Sequence, residues 1–198
     1  MSTIDRRHLL QAGAALTAGS LDPVALGAMI DAREAEAEEA GIPTEVDFVA
    51  WLRGTAGGFA YAAGLALGGS AEEAEKLRAL GAAYGLAGVL RSVTAHAAQG
   101  RCLLPGDRLA AAGLNTEAVI SAPMAPALSA LCAEMAAEGL AALRTAPRDV
   151  PKGLMAAALP VVLAGRDLRR LAAGKAVPMP RGVVDRVAVI WAGWRGRV

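Results

Sequence analysis

The chain has 198 residues, a length that fits one domain or one domain with an appendage. Hydrophobic residues make up 55% of it and charged residues 20%, which excludes an intrinsically disordered chain. The net charge of +1, with both signs interspersed, excludes a strongly basic nucleic-acid-binding protein.

The apolar residues are mainly alanine and leucine, and aromatic residues are only 4%, so packed helices are favoured over sheets. The two cysteines, Cys102 and Cys132, fit no zinc or CxxC spacing and indicate a reducing compartment. Since the only histidines are His8 and His96, we expect no transition-metal site.

Residues 1–21 form an N-terminal segment, in which Arg6 and Arg7 precede an apolar stretch. This arrangement superficially resembles a twin-arginine export signal. However, Asp5 precedes the arginines, and no clear small-residue cleavage site follows. We therefore favour a short amphipathic helix that leads into the next one.

An Asp-Pro pair at residues 22–23 predicts the start of a helix that runs to about Ala40. Asp31, Glu34 and Glu38 project from one side of it at i, i+3 and i+7. Three carboxylates at this spacing are able to bind a divalent cation. A solvated acidic face is the interpretation we favour.

Thr44 and Asp47 predict the cap of the next helix. Its apolar stripe consists of Phe48, Leu52, Thr55, Phe59 and Ala63. Residues 54–71 carry no charge, a length that just suffices to span a bilayer. We reject a transmembrane span because six of these residues are glycine and few are large. Small residues instead allow helices to approach closely inside a bundle.

Ser70 and Glu73 form a capping box that begins a long central helix, which runs to about Ala98. On this helix Ser92 and His96 are four residues apart and share one face. A polar pair on a buried helix suggests a pocket. From residue types alone we favour a structural role, in which Ser92 bonds back to a carbonyl of its own helix and the histidine is a satisfied core or rim residue.

The stretch 80–105 resembles the second signature of the squalene/phytoene synthase family, roughly Leu-Arg-Asp-Val-x-x-Asp-x-x-x-Gly-Arg-x-Tyr-Leu-Pro. Ser92 and His96 stand where the signature has its two aspartates. In the family's enzymes those carboxylates hold Mg²⁺, which bridges to the substrate diphosphate. Residues 76–106 contain no Asp or Glu that replaces them. The matching positions are Leu90, Arg91, Val93, Gly100, Arg101, Leu104 and Pro105.

The resemblance extends loosely over residues 22–171 and implies an all-α, single-domain helical bundle of the isoprenoid synthase type. The expected organisation is an N-terminal segment, a synthase-like domain over 22–175 and a C-terminal tail over 176–198. We find no equivalent of the family's first Asp-x-x-x-Asp motif, so the bundle is expected to lack the family's N-terminal helices. The resemblance marks no catalytic or metal-binding residue. It marks four positions of the family pocket that are degenerate in this chain: Arg91, Ser92, His96 and Arg101.

Towards the C-terminus, Pro126 begins a helix to about Leu143 and Pro160 is expected to kink a later one. Arg166, Arg169 and Arg170 then form a basic cluster. Contact with anionic lipid or an acidic partner is one interpretation of this cluster, and we favour a solvated helix end. The final segment is a helix or a strand. Its tryptophans, Trp191 and Trp194, with Arg195 and Arg197, either anchor at a membrane interface or pack onto the bundle.

Three functional hypotheses follow. The first is a noncatalytic protein, since the pattern around Ser92 and His96 resembles the branch of the family that assists assembly of mitochondrial respiratory complex I. This hypothesis implies that the partners are proteins of a membrane complex and that the chain needs no cofactor. The implied location is the cytoplasm or the mitochondrial matrix, including the surface of the membrane. The second is a working Mg²⁺-dependent prenyltransferase that uses carboxylates elsewhere, at Asp31, Glu34 and Glu38. The third is a cavity that still binds a prenyl or other lipid.

Overall fold

The computed structural model describes residues 23–34, 41–175, 177 and 181–198. These residues form eleven α-helices and one 3-10 helix without a strand, which confirms the predicted all-α class. The N-terminal segment, with its twin-arginine-like stretch, lies outside the described residues. The helices are α1 (Pro23–Glu34), α2 (Glu45–Gly54), α3 (Ala56–Ala66), α4 (Ala71–Arg91), α5 (Val93–Ala97), α6 (Gly106–Ala111), α7 (Thr116–Ser121), α8 (Pro126–Thr145), α9 (Met155–Ala158), α10 (Pro160–Ala172) and α11 (Val183–Arg195).

Helix α4 is the centre of the bundle. Its capping box is formed, because the Ser70 hydroxyl accepts from the Glu73 N–H and the Glu73 carboxylate accepts from the Ser70 N–H. Leu77 and Leu80 are almost fully buried on it. Helices α2, α3, α8 and α10 pack around α4, so most of the core lies against this one helix.

Glycines bring α3 and α4 into close contact. A Cβ atom at Gly81 would lie 2.6 Å from the Ala56 carbonyl oxygen and from the Ala60 Cβ. On the opposite helix, a Cβ at Gly64 would lie 2.5 Å from Leu77 Cδ1. The uncharged glycine-rich stretch therefore packs tightly against its neighbour, as the abundance of small residues predicts.

The helix predicted to pass through Thr55 is interrupted there. Helix α2 ends before it and α3 begins after it, with Thr55 at φ −85° and ψ −87°. The buried Thr55 hydroxyl donates to the Trp51 carbonyl at 2.7 Å. The predicted apolar stripe was wrong beyond this break, since Phe59 is 67% exposed.

Helix α8 meets the length and composition criteria for a membrane span, whereas 39% of its most apolar window is buried inside the bundle. It packs against α4 and α10. A buried core helix passes the same test, so this feature is weak evidence for a span.

Candidate functional site

The four positions marked by the family resemblance lie at the end of α4 and in the segment that follows it. Arg91 is the last residue of α4, and Ser92 separates this helix from the short helix α5, which contains His96. Arg101 lies in the loop after α5. All four side chains are half-buried.

Ser92 marks a change in the helical path that the prediction of one helix to Ala98 missed. Its φ is −106° and its ψ is 11°, and its N–H donates to the Val89 carbonyl three residues back at 3.0 Å. The His96 N–H still donates to the Ser92 carbonyl at 2.9 Å, so the two residues stay one turn apart. The Ser92 hydroxyl makes no capping hydrogen bond to α5.

The structure separates Arg91 from Arg101, the other arginine of the motif. His96 and Arg101 line a narrow space beside Cys102 and Val119 that has no room for a ligand. Arg91 instead borders a different cavity, of about 360 Å³, together with Lys175. The motif positions therefore do not converge on one pocket.

Arg91 is held by a buried aspartate that sequence reasoning did not single out. Its Nη1 donates to Asp167 Oδ2 at 3.3 Å, and this carboxylate has no solvent exposure. Arg181 donates to both oxygens of the same carboxylate, at 3.0 and 2.6 Å. Arg170 Nη1 approaches it to 3.6 Å. The guanidinium that the resemblance places in the family pocket is thus part of a buried ion cluster, and Asp167 keeps the pKa of Arg181 above its ordinary value.

A second buried carboxylate, Asp185, joins α11 to α10. Arg166 Nε donates to Asp185 Oδ1 at 2.6 Å, and the two Arg170 Nη atoms donate to its oxygens at 3.0 and 3.2 Å. These hydrogen bonds, first from Arg170 and then from Arg166, hold the pKa of Asp185 below its ordinary value.

The prediction of a solvated arginine cluster was therefore wrong for two of its three members, and only Arg169 is exposed. The reason is that α11 brings an acid from 15 to 19 residues away, which no local pattern reveals. The one available signal in the sequence is Asp185 itself, which stands among apolar residues of the final segment. A buried acid requires cationic partners, so its position indicates a nearby arginine or lysine.

An apolar cavity of about 360 Å³ lies about two to three helical turns before Ser92 on α4. Leu80, Gly81 and Tyr84 contribute from this helix, so its nearest residue is about 12 Å from Ser92 along the axis, at 1.5 Å per residue. The rest of its wall is apolar as well and comes from α3, α9 and α10: Ala56, Phe59, Ala60, Ala63, Ala66, Leu67, Ala156, Ala157, Ala158, Pro160 and Val161. A hydrocarbon chain is the ligand chemistry that this surface suits.

The residues present do not fit a magnesium site. Ser92 and His96 offer a hydroxyl and an imidazole where a hard cation requires several carboxylate or carbonyl oxygens. Within the described part of the chain, no three His, Cys, Asp or Glu side chains cluster in a way that would hold a metal. Of the alternative carboxylates, Asp31 is exposed on α1, whereas the side chain of Glu34 and the whole of Glu38 lie outside the described residues.

The two cysteines are free and buried. Burial raises the pKa of the Cys132 thiol to about 11, and it raises the pKa of the Cys102 thiol as well. At neutral pH both are therefore neutral thiols, which are poor nucleophiles.

Comparison with known proteins identifies relatives by sequence and by fold. The family model "Squalene/phytoene synthase" matches residues 5–189. Among solved structures, the chain is similar to squalene synthase HpnC from Alicyclobacillus acidocaldarius, with a TM-score of 0.54 and 14% identity. The match covers 91% of this chain and 63% of the chain of that enzyme, so this chain spans less than two thirds of its length. No curated protein sequence matches significantly.

Proposed function

Because the chain belongs to the squalene/phytoene synthase family, we propose that it is a noncatalytic member that assists assembly of a membrane complex, with respiratory complex I as the first candidate. The observation that carries this proposal is the chemistry at the second motif. Ser92 and His96 replace the metal-binding carboxylates, and Arg91 is bonded to Asp167. Enzymes of the family use Mg²⁺ to stabilise the departing diphosphate, and these side chains supply no carboxylate to hold it.

The partners that we propose are protein subunits of that complex, met at the cytoplasmic or matrix side of a membrane. We expect affinity-tagged chain, purified from detergent-solubilised membranes of its own host, to enrich the subunits of one membrane complex. The matched bait is a family member that retains both aspartate motifs and carries the same tag. If the two baits recover the same proteins in the same amounts, assistance of assembly is the wrong function for this chain.

A second function, catalysis of prenyl diphosphate condensation, is favoured by family membership and by the apolar cavity. We expect no condensation product and no release of pyrophosphate when the chain is incubated with farnesyl diphosphate and Mg²⁺. The cavity is nevertheless expected to take the farnesyl chain, so native mass spectrometry should detect a bound complex whose amount does not depend on Mg²⁺.

The same assay tests whether the farnesyl chain binds in the cavity. Ala63→Trp fills the cavity from α3, and Ala141→Trp on the exposed side of α8 is the control. Only the first substitution should abolish farnesyl binding. Product formation that requires Mg²⁺ would establish the enzyme and remove the noncatalytic proposal. Equal binding by both variants would place the ligand elsewhere.

A further inference from the structure

Helix α11 has one face bound to the bundle and one face that is largely exposed. Asp185 and Ala192 are buried on the first face. The second face is apolar, and its residues are 53% to 79% exposed. Their spacing of i, i+1, i+4, i+7, i+8 and i+11 forms one continuous stripe. We call this the α11 stripe, and it consists of Val183, Val184, Val187, Ile190, Trp191 and Trp194.

A cationic groove of about 440 Å³ adjoins the α11 stripe and shares Trp191 with it. None of the described residues that line the groove is acidic. In α11 itself the only acid is Asp185, which is 1% exposed and bonded to Arg166 and Arg170. Of the arginines in the groove, Arg166 is therefore paired with a buried carboxylate, and no acidic side chain among the described lining residues is available to the other four. Its basic residues are Arg148, Arg166, Arg169, Arg195 and Arg197.

The tryptophans lie where the α11 stripe meets this positive charge. The rings of Trp191 and Trp194 are 5.4 Å apart, and the Arg195 guanidinium lies 5.0 Å from the centre of the Trp191 ring. Indole rings prefer the boundary between hydrocarbon and water, and arginine extends from that boundary to lipid phosphates. Either tryptophan alone would be an ordinary surface residue, but here the stripe, the rings and the cations lie on one surface.

We propose that this surface docks on a lipid bilayer that contains anionic phospholipid. The α11 stripe enters the boundary between headgroups and acyl chains, and the arginines of the groove other than Arg166 bind lipid phosphates. Charge complementarity favours a phospholipid surface over a second copy of the chain, since a second copy would oppose arginine with arginine. The inference goes beyond the proposed function because docking on lipid requires neither a protein partner nor catalysis.

The test uses purified full chain and vesicles of phosphatidylcholine, either pure or with about one third phosphatidylglycerol. We expect cosedimentation with the anionic vesicles and little with pure phosphatidylcholine. Arg195→Gln with Arg197→Gln should weaken binding roughly 30-fold, from about 1 kcal/mol for each cation near a charged membrane. Binding should also fall as salt rises.

The matched variants separate the α11 stripe from apolar surface in general. Trp191→Ser with Trp194→Ser should abolish binding, whereas Val46→Ser with Met124→Ser removes two exposed apolar side chains elsewhere and should leave it unchanged. Circular dichroism during heating verifies that each variant is folded. With brominated acyl chains, the fluorescence of Trp191 and Trp194 should be quenched, and that of buried Trp51 should persist.

Equal binding to both vesicle types, or equal loss in the two double variants, would overturn the inference. So would a sedimentation mass of twice the monomer without lipid binding, because a second copy would then occupy the surface. Since these measurements contain only protein and lipid, their outcome does not depend on whether a membrane complex copurifies with the chain.

Discussion

Replacing Asp167 by asparagine is expected to lower the free energy of unfolding by about 3 kcal/mol. The carboxylate has no solvent exposure and pairs with Arg91 and Arg181, so its loss leaves guanidinium charge without a partner inside the bundle. We expect the lower end of the 3–5 kcal/mol range for broken buried pairs, because the arginine side chains remain 18–19% exposed and retain some water. Urea unfolding followed by circular dichroism measures the change.

Asp149→Asn is the matched control, since it removes a carboxylate that pairs with Lys76 but is 75% exposed. Its urea midpoint should remain that of the unchanged chain, as expected for an exposed pair. If the two variants unfold at the same urea concentration, the buried ion cluster contributes nothing beyond a surface salt bridge, contrary to our expectation.

Gly81→Ala is expected to destabilise the bundle by about 1–3 kcal/mol, although alanine is the better helix former. The added methyl group would lie 2.6 Å from the Ala56 carbonyl oxygen, and a backbone atom cannot move away without shifting α3. The apolar cavity has Gly81 in its wall, so the shift should also alter binding of a hydrocarbon ligand. Thermal and urea unfolding provide the stability measurement.

Gly88→Ala on the same helix is the control, because no atom lies within 4 Å of the position of its Cβ. It should raise the free energy of unfolding by up to about 1 kcal/mol, from helix propensity alone. A stabilising Gly81→Ala would show that α3 and α4 do not meet as closely as the structure has them.

The helix starts were the most predictable part of the fold, because they depend on neighbours in the sequence. The Ser70 capping box, the Thr44 cap and the start of α8 at Pro126 are all present. Gly113, which follows the end of α6, has the positive φ of 70° that favours glycine. Each of these features is decided within a few residues, so composition and spacing suffice.

Features set by distant contacts were not predictable. The bond from Arg91 to Asp167 joins residues 76 positions apart. The hydrogen bonds of Asp185 hold one side of α11 against α10, and Trp191 and Trp194 are exposed because they lie on the other side. No pattern within α11 specifies which side faces α10.

The engagement of Arg91 has a consequence for any attempt to place a carboxylate at the second motif. An aspartate introduced at Ser92 would directly follow, in the sequence, an arginine that already donates to Asp167. The new acid would have to compete for that cation, and success would loosen the contact between α4 and α10. A carboxylate at position 92 that engaged Arg91 would therefore weaken the ion pair that joins α4 to α10.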